Sequence, residues 1–416
     1  MGYTILSIAS TSFFADYGAH VRIWEETRAL QKRGHRIVIA TYHNGDNMPG
    51  FEIRRSWDVP WVKRTMVGAS RHKLYLDVAL SWRALRVAWE IKPDLIHAHI
   101  HESALIGSVL ARLFGVPLVF DYQGSLTSEM LDHGFLRRDG AFYRPMRWLE
   151  RRINGLADAV LTSSFNAASV LRDEWDFPTE RLYTVPDSVN IERFRPFDGS
   201  TQWQADRERI RESLGIPAGR KIVAYLGLLA PYQGTNILLA AAQIIVAQRS
   251  DIHFLIMGYP DVRSYQALAD SLGIGAWVTL PGRILYKDAH AYLALGDVAV
   301  APKMSATEGA GKIPNYMAMG LPVVTFDTPV SREILGDAGI FAAFGDSRSL
   351  AEQIMAVLDQ PEWAQQVADS VRKKAVSEHS WALAAYQIEA IYERVLAQRA
   401  GLPLPPFPTT IQNEPH

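Results

Sequence analysis

The sequence predicts an α/β protein built as two Rossmann-like domains facing a cleft, with a last helix crossing back to the first domain. Three observations carry this. Short apolar runs alternate with longer helical patterns from end to end, as parallel sheets covered by helices require. At 416 residues the chain exceeds the roughly 250–300 at which a single core stops growing. A polar segment at 197–204, after Pro186 and Pro196, separates two alternating sets.

In the first set, strands are expected at 4–9, 36–41, 94–98, 118–121, 159–162 and 181–185. Helices are expected over 25–33, 74–91 and 104–114, and Gly34 after Lys32-Arg33 reads as a helix stop with basic residues in the last turn. In the second set, strands fall at 222–226, 253–257, 278–280, 298–301, 323–326 and 340–342. Helices there start near Thr235, Ser264, Lys287, Lys312, Ser347 and Glu362. The final helix, 383–399, carries Leu383, Ala384, Ile388, Ile391, Tyr392 and Val395 at helical spacing, an apolar stripe that should pack on the first domain. The expected division is residues 1–197, residues 198–365, returning helices at 366–400 and a disordered Pro-rich tail at 401–416.

A net charge of -1 gives no global case for a nucleic-acid partner. The absence of cysteine excludes disulfides and thiolate metal sites. The start, Met1 to Ile8, lacks a cationic leader and reads as the first strand. The longest apolar stretch, Ile237 to Ala247, contains Gln243 and is far short of the roughly 20 residues that span a bilayer. A cytoplasmic protein is expected, at most peripheral at the inner membrane face. Residues 1–155 hold 21 Lys and Arg against 15 Asp and Glu. The basic residues cluster with aromatics: Arg137, Arg138, Arg144, Arg147, Arg151 and Arg152 with Phe142, Tyr143 and Trp148, and Lys63, Arg64, Arg71 and Lys73 with Trp57 and Trp61. Such stretches suit an anionic membrane, and equally a solvated basic face beside core aromatics.

Several segments resemble family 4 glycosyltransferases, in matching order over nearly the whole chain. Gly18-Ala19-His20 ahead of Leu30-Gln31-Lys32-Arg33-Gly34-His35 is similar to that family's glycine loop and first helix, and Lys92-Pro93-Asp94-Leu95-Ile96-His97-Ala98-His99 to its HAH strand. Ala157-Asp158-Ala159-Val160 and Val185-Pro186-Asp187-Ser188-Val189-Asn190 resemble the last strands and exit of its N-terminal domain. Tyr316-Met317-Ala318-Met319-Gly320-Leu321-Pro322-Val323-Val324 resembles its AMAxGxPVV helix and strand. The resemblance implies the GT-B fold and retaining, hexosyltransferase-like transfer from a nucleotide-diphosphate sugar, bound in the C-terminal half, to an acceptor hydroxyl. No carboxylate pair of Mg²⁺-ligand character precedes the glycine-rich turn at 309–311, so neither a metal nor a cofactor is expected. The acceptor is left open, with a lipid-linked or cell-surface glycan precursor among the options.

The chain departs from the pattern where the family grips the diphosphate. Many members carry GRLxxxKG, whereas Gly227-Leu228-Leu229-Ala230-Pro231-Tyr232-Gln233-Gly234 lacks both cations. The family's paired glutamates are altered: Thr307 or Glu308 stands opposite the first and Asn315 opposite the second, while Gln123-Gly124 replaces a His-Gly. Substitute cations are therefore sought among Lys303, Lys312 and Arg283. Gly309, Ala310, Gly311 and Lys312 follow Glu308 as a glycine-rich turn into a helix, where backbone can approach a phosphate and Lys312 adds a charge-assisted donor. Gly18, Gly227, Gln233, Gly258 and Asn315 complete the expected donor-binding set. Glu308, Gln123 and His99 form the candidate catalytic set, Gln123 as a hydrogen-bonding amide that cannot act as a base.

His97, His99 and His101 alternate, which in a strand would put them on one face. The strand is expected to end near Ala98, so a metal triad is not expected. The competing functions are a GT-B sugar phosphorylase or nucleotide-sugar epimerase, suggested by the missing diphosphate cations, and a catalytically silent sugar-binding or scaffolding subunit, suggested by the joint loss of Glu, Arg and Lys.

Overall fold

The computed structural model describes residues 2–15, 18–59, 73–132, 134–196, 199–304 and 309–407. Seven strands, β1 (Thr4–Ala9), β2 (Arg36–Thr41), β3 (Glu52–Arg55), β4 (Leu95–His99), β5 (Leu118–Tyr122), β6 (Ala159–Thr162) and β7 (Leu182–Thr184), form one sheet in the order β3-β2-β1-β4-β5-β6-β7. Six more, β8 (Lys221–Leu226), β9 (Ile252–Met257), β10 (Val278–Gly282), β11 (Val298–Ala301), β12 (Val323–Phe326) and β13 (Ile340–Ala342), form a second in the order β10-β9-β8-β11-β12-β13. The pairings are parallel. Each sheet therefore reverses its winding once, between β1 and β4 and between β8 and β11, and crevices for ligands open at the carboxyl ends of strands at such points.

The central strands are apolar on both faces because helices cover both. Helix Gly18–Lys32 and the returning helix Trp381–Arg399 pack together on one side of the first sheet. Arg33 and His35 both pair with Glu389 across that contact. The chain crosses back where Val189 bridges to Ser380, its amide donating to the His379 carbonyl at 2.7 Å. Nearby, Arg372 donates to the carbonyls of Phe194 and Ala318 at 2.9 and 2.7 Å, tying the exit of the first unit to the second.

Several expectations shift. Strand β4 runs on through His99 rather than stopping at Ala98, because Ala9 and Asp121 on its two neighbours continue the ladder. The next residue, Ile100, has φ of 64° and opens helix Ile100–Phe114, so His101 leaves the face that His97 and His99 share. Helices at Leu126–Asp132, Phe165–Trp175 and Thr201–Ser213 and strand β3 were not anticipated. Helix Thr201–Ser213 buries none of its residues, so it has no apolar stripe to read, and it occupies part of the segment read as a hinge. Residues 408–416 of the expected tail lie outside the described residues.

Candidate functional site

A cleft of about 370 Å³ lies between the carboxyl ends of the two sheets. Its C-terminal wall is made by backbone. Gly227 follows β8, and a Cβ there would meet the Lys312 ammonium at 2.6 Å. Gly258 follows β9, and its Cβ would meet the Gly227 carbonyl at 1.9 Å, so only glycine lets the two strand ends touch. From the far side of the cleft floor, Lys312 opens helix Lys312–Ala318 and turns its ammonium back toward β8. It donates to the Tyr225 hydroxyl at 3.2 Å and the Gln233 side-chain oxygen at 2.9 Å, and it lies 4.3 Å from the Tyr225 ring centroid.

The N-terminal wall is made by charge. Arg22, from helix Gly18–Lys32, is 5% exposed and sends its guanidinium into the sheet end. There it makes a forked contact with Asp121 at 3.0–3.2 Å and reaches Asp187, beyond β7, at 3.2 Å. His99 Nδ1 is 3.1 Å from the Asp121 carboxylate, its Nε2 is 3.2 Å from the Ser7 hydroxyl, and the Gln123 amide donates to Asp121 at 2.8 Å. Burial alone would favour neutral Asp121. The Arg22 charge and the His99 hydrogen bond outweigh it and hold that carboxyl well below the usual range. Asp187 goes the other way: burial raises its pKa, against the pull of Arg22 and Lys303.

Behind this wall, Glu26, His97 and His99 are buried within 4.8 Å of one another. The two imidazoles stack with centroids 4.5 Å apart and planes 26° apart, and His97 Nδ1 lies 3.2 Å from a Glu26 carboxylate oxygen. His97 Nδ1 is also 2.7 Å from the Tyr392 hydroxyl of the returning helix. Burial pushes the Glu26 carboxyl up to about 7 and His97 well below its usual value, as expected when two adjacent groups avoid charge.

Of the sequence candidates, Gly18, His99, Gln123, Gly227, Gln233, Gly258, Lys303, Gly309, Ala310, Gly311, Lys312 and Asn315 line the cleft together. Glu308, with Thr307, lies outside the described residues. Three candidates have particular surroundings. Arg283 is not among the cleft-lining residues: it follows β10, the edge strand of its sheet, and faces Asp46 at 3.7 Å and the Tyr259 ring. Lys303 donates to the Gly309 carbonyl at 2.6 Å, so it props the glycine turn. Gly18 meets nothing within 4 Å of where a Cβ would stand, so it leaves open space in the cleft. Arg22, Asp121 and Asp187 were missed, since an arginine four residues into an amphipathic helix and an aspartate after a proline look like solvated surface. Of the first basic-aromatic stretch, Trp61, Lys63, Arg64 and Arg71 lie outside the described residues.

The chain matches two family models: residues 17–187 that of the glycosyl transferase 4-like domain, and residues 206–374 that of glycosyl transferases group 1. It is 25% identical over 306 residues to the alpha-D-kanosaminyltransferase of Streptomyces kanamyceticus, covering 72% of this chain and 77% of that one. Among solved structures it resembles a sucrose-phosphate synthase from Thermosynechococcus elongatus, with a TM-score of 0.79 at 20% identity over 95% of this chain and 100% of that chain. The Anabaena protein HepE, solved with UDP and glucose, gives a TM-score of 0.74 at 16% identity over 93% and 98% of the two chains. These neighbours share the two-sheet GT-B architecture.

Proposed function

The chain belongs to the family 4 glycosyltransferases and is a GT-B transferase, and from that premise we propose that it moves a sugar, with retention, from a nucleotide diphosphate to an acceptor hydroxyl. The observation that carries the donor class is the Lys312 ammonium, placed 2.9 Å from the Gln233 side chain and against Gly227. Gln233 stands where the family resemblance puts the diphosphate-gripping lysine. The positive charge is thus supplied from another element to the same spot, beside glycine backbone that a phosphate can approach.

The reaction breaks the bond from the anomeric carbon to the diphosphate oxygen and forms the new bond to the acceptor oxygen on the same face of the sugar, while the acceptor proton passes to the departing phosphate. Among the described residues, the carboxylates lining the cleft are Glu102, Glu129 and Asp187. Glu102 is paired with Lys73 at 3.1 Å and Asp187 with Arg22, which fits positioning rather than covalent attack. Lys312 stabilises the charge developing on the leaving diphosphate, and Gln123 and Asn315 offer hydrogen bonds to sugar or ribose hydroxyls. The acceptor enters from the N-terminal side, and we read it as a lipid-linked glycan precursor.

A panel of nucleotide sugars, with released nucleotide measured, tests the reading. One donor should be consumed above background and bind equally with and without EDTA in calorimetry. Phosphate-dependent release of a sugar 1-phosphate would favour the phosphorylase, and binding without turnover of any donor would favour the silent subunit.

A further inference from the structure

We propose that the outer helical layer of the first sheet docks on an anionic lipid bilayer, with the cleft mouth at its edge. The connections β3 to β4, β4 to β5 and β5 to β6 all advance in the same direction across the sheet. Right-handed crossovers then put helices Lys73–Ile91, Ile100–Phe114 and Tyr143–Asn154 on one face, opposite Gly18–Lys32 and the returning helix. All three pack side by side, so their outward rows form one surface.

That surface is apolar. Helix Lys73–Ile91 already buries Leu76, Leu80, Ala84, Val87 and Ala88 against the sheet, yet its outward row leaves Leu74, Val78, Trp82 and Trp89 between 54 and 72% exposed. The next helix adds Leu105, Val109 and Leu113 at 47–61%, and the third adds Trp148. A soluble helix normally carries polar residues on that side, and contiguous apolar area of this kind marks a binding surface. No helix among the described residues is long and apolar enough to cross a membrane, so the contact is lateral.

Charge selects the partner. The acids on these three helices are already engaged: Asp77 by the Tyr42 hydroxyl, Glu90 by Arg86, Glu102 by Lys73 and buried Glu150 by Thr127. Arg112, Arg144 and Arg152 are exposed and, among the described residues, form no ion pair. A second copy would set the same arginines against them, whereas lipid phosphates complement them and tryptophans suit the headgroup boundary. Lys73 and Glu102, at the first turns of two of these helices, line the cleft, and Leu74 and Tyr75 are exposed directly beside them. The apolar face thus begins at the cleft mouth, where a lipid-borne acceptor would enter. The proposal rests on the transferase reading only for that last step.

Flotation of the full chain with vesicles of phosphatidylcholine, with and without phosphatidylglycerol, tests it. The chain should float with the anionic vesicles, be released by salt, and bind neutral ones at least tenfold more weakly. Trp82→Ser with Val109→Ser should lower partitioning roughly tenfold, and Arg112→Glu with Arg144→Glu should remove the preference for anionic lipid. Calorimetric NDP binding by the same samples should stay unchanged, which keeps a failure of docking apart from a failure of the donor site. Equal, negligible binding of the parent chain to both vesicles overturns the proposal whatever the variants do. So does a dimer in sedimentation velocity that the serine variant dissociates.

Discussion

The two walls of the cleft solve opposite problems. On the N-terminal side, Arg22, Asp121 and Asp187 set full charges against one another in a nearly dry sheet end, with His99 and Gln123 hydrogen-bonded to the same carboxylate. On the C-terminal side, Lys312 donates to neutral oxygens of Tyr225 and Gln233 beside glycine backbone. Buried counter-charges fix the shape of the first wall, whereas the second sets an ammonium beside glycine backbone that a phosphate can approach. The first wall is therefore expected to govern stability, the second donor affinity.

The largest effect should come from breaking the first wall. Arg22→Met strands Asp121 and Asp187 without their counter-charge and should cost about 3–5 kcal/mol of unfolding free energy. Arg22→Met with Asp121→Asn should recover a good part of it in urea denaturation. A single variant as stable as the parent would show that Arg22 is solvated in solution and would dissolve the contrast.

Lys312→Ala tests the second wall. One charge-assisted hydrogen bond is worth about 1.5–3 kcal/mol, so NDP affinity should fall roughly ten- to a hundredfold while affinity for the free nucleoside and stability barely move. Lys303→Ala should weaken NDP binding less, because its ammonium is engaged by the Gly309 carbonyl. Equal losses for NDP and nucleoside would remove Lys312 from the phosphate.

The two walls meet at Gly309, where a Cβ would stand 2.4 Å from an Asp187 carboxylate oxygen and 2.9 Å from the Ser163 hydroxyl. Because Arg22 holds Asp187, that oxygen cannot simply swing aside. Gly309→Ala should shift the turn, cost about 1–3 kcal/mol, and raise the donor KM more than it lowers kcat. Asp187→Asn in the same chain should relieve part of that penalty, and independent, additive effects would mean the walls are not mechanically joined.

The smallest effect concerns pH. Burial raises the Glu26 carboxyl to about 7, so its protonated form contributes stability that is fully present below its unfolded value near 4.5 and is lost as pH rises through about 7. Glu26→Gln should flatten the decline between pH 5 and 7 in thermal unfolding. An unchanged profile would assign it to another group, with His97, whose lowered pKa acts in the opposite direction, excluded by sign.

Local sequence determined most of the strands, because an apolar run of three to six residues bounded by helix-forming segments can do little else in water. β1, β2, β6, β11, β12 and β13 stand where the alternation puts them. It also marked the glycine turn at 309–311 and the lysine that follows, since glycine is needed wherever backbone must approach closely and that requirement is written in the residue itself. What only the tertiary structure decided is which charge answers which. Arg22, Asp121 and Asp187 lie 99 and 165 positions apart from the arginine in the chain, and nothing in periodicity separates a buried arginine from a solvated one until the helix is laid on the sheet. The replacement of a cation at 233 by one at 312 belongs to the same class: a charge acts through space, and its address along the chain leaves no local trace.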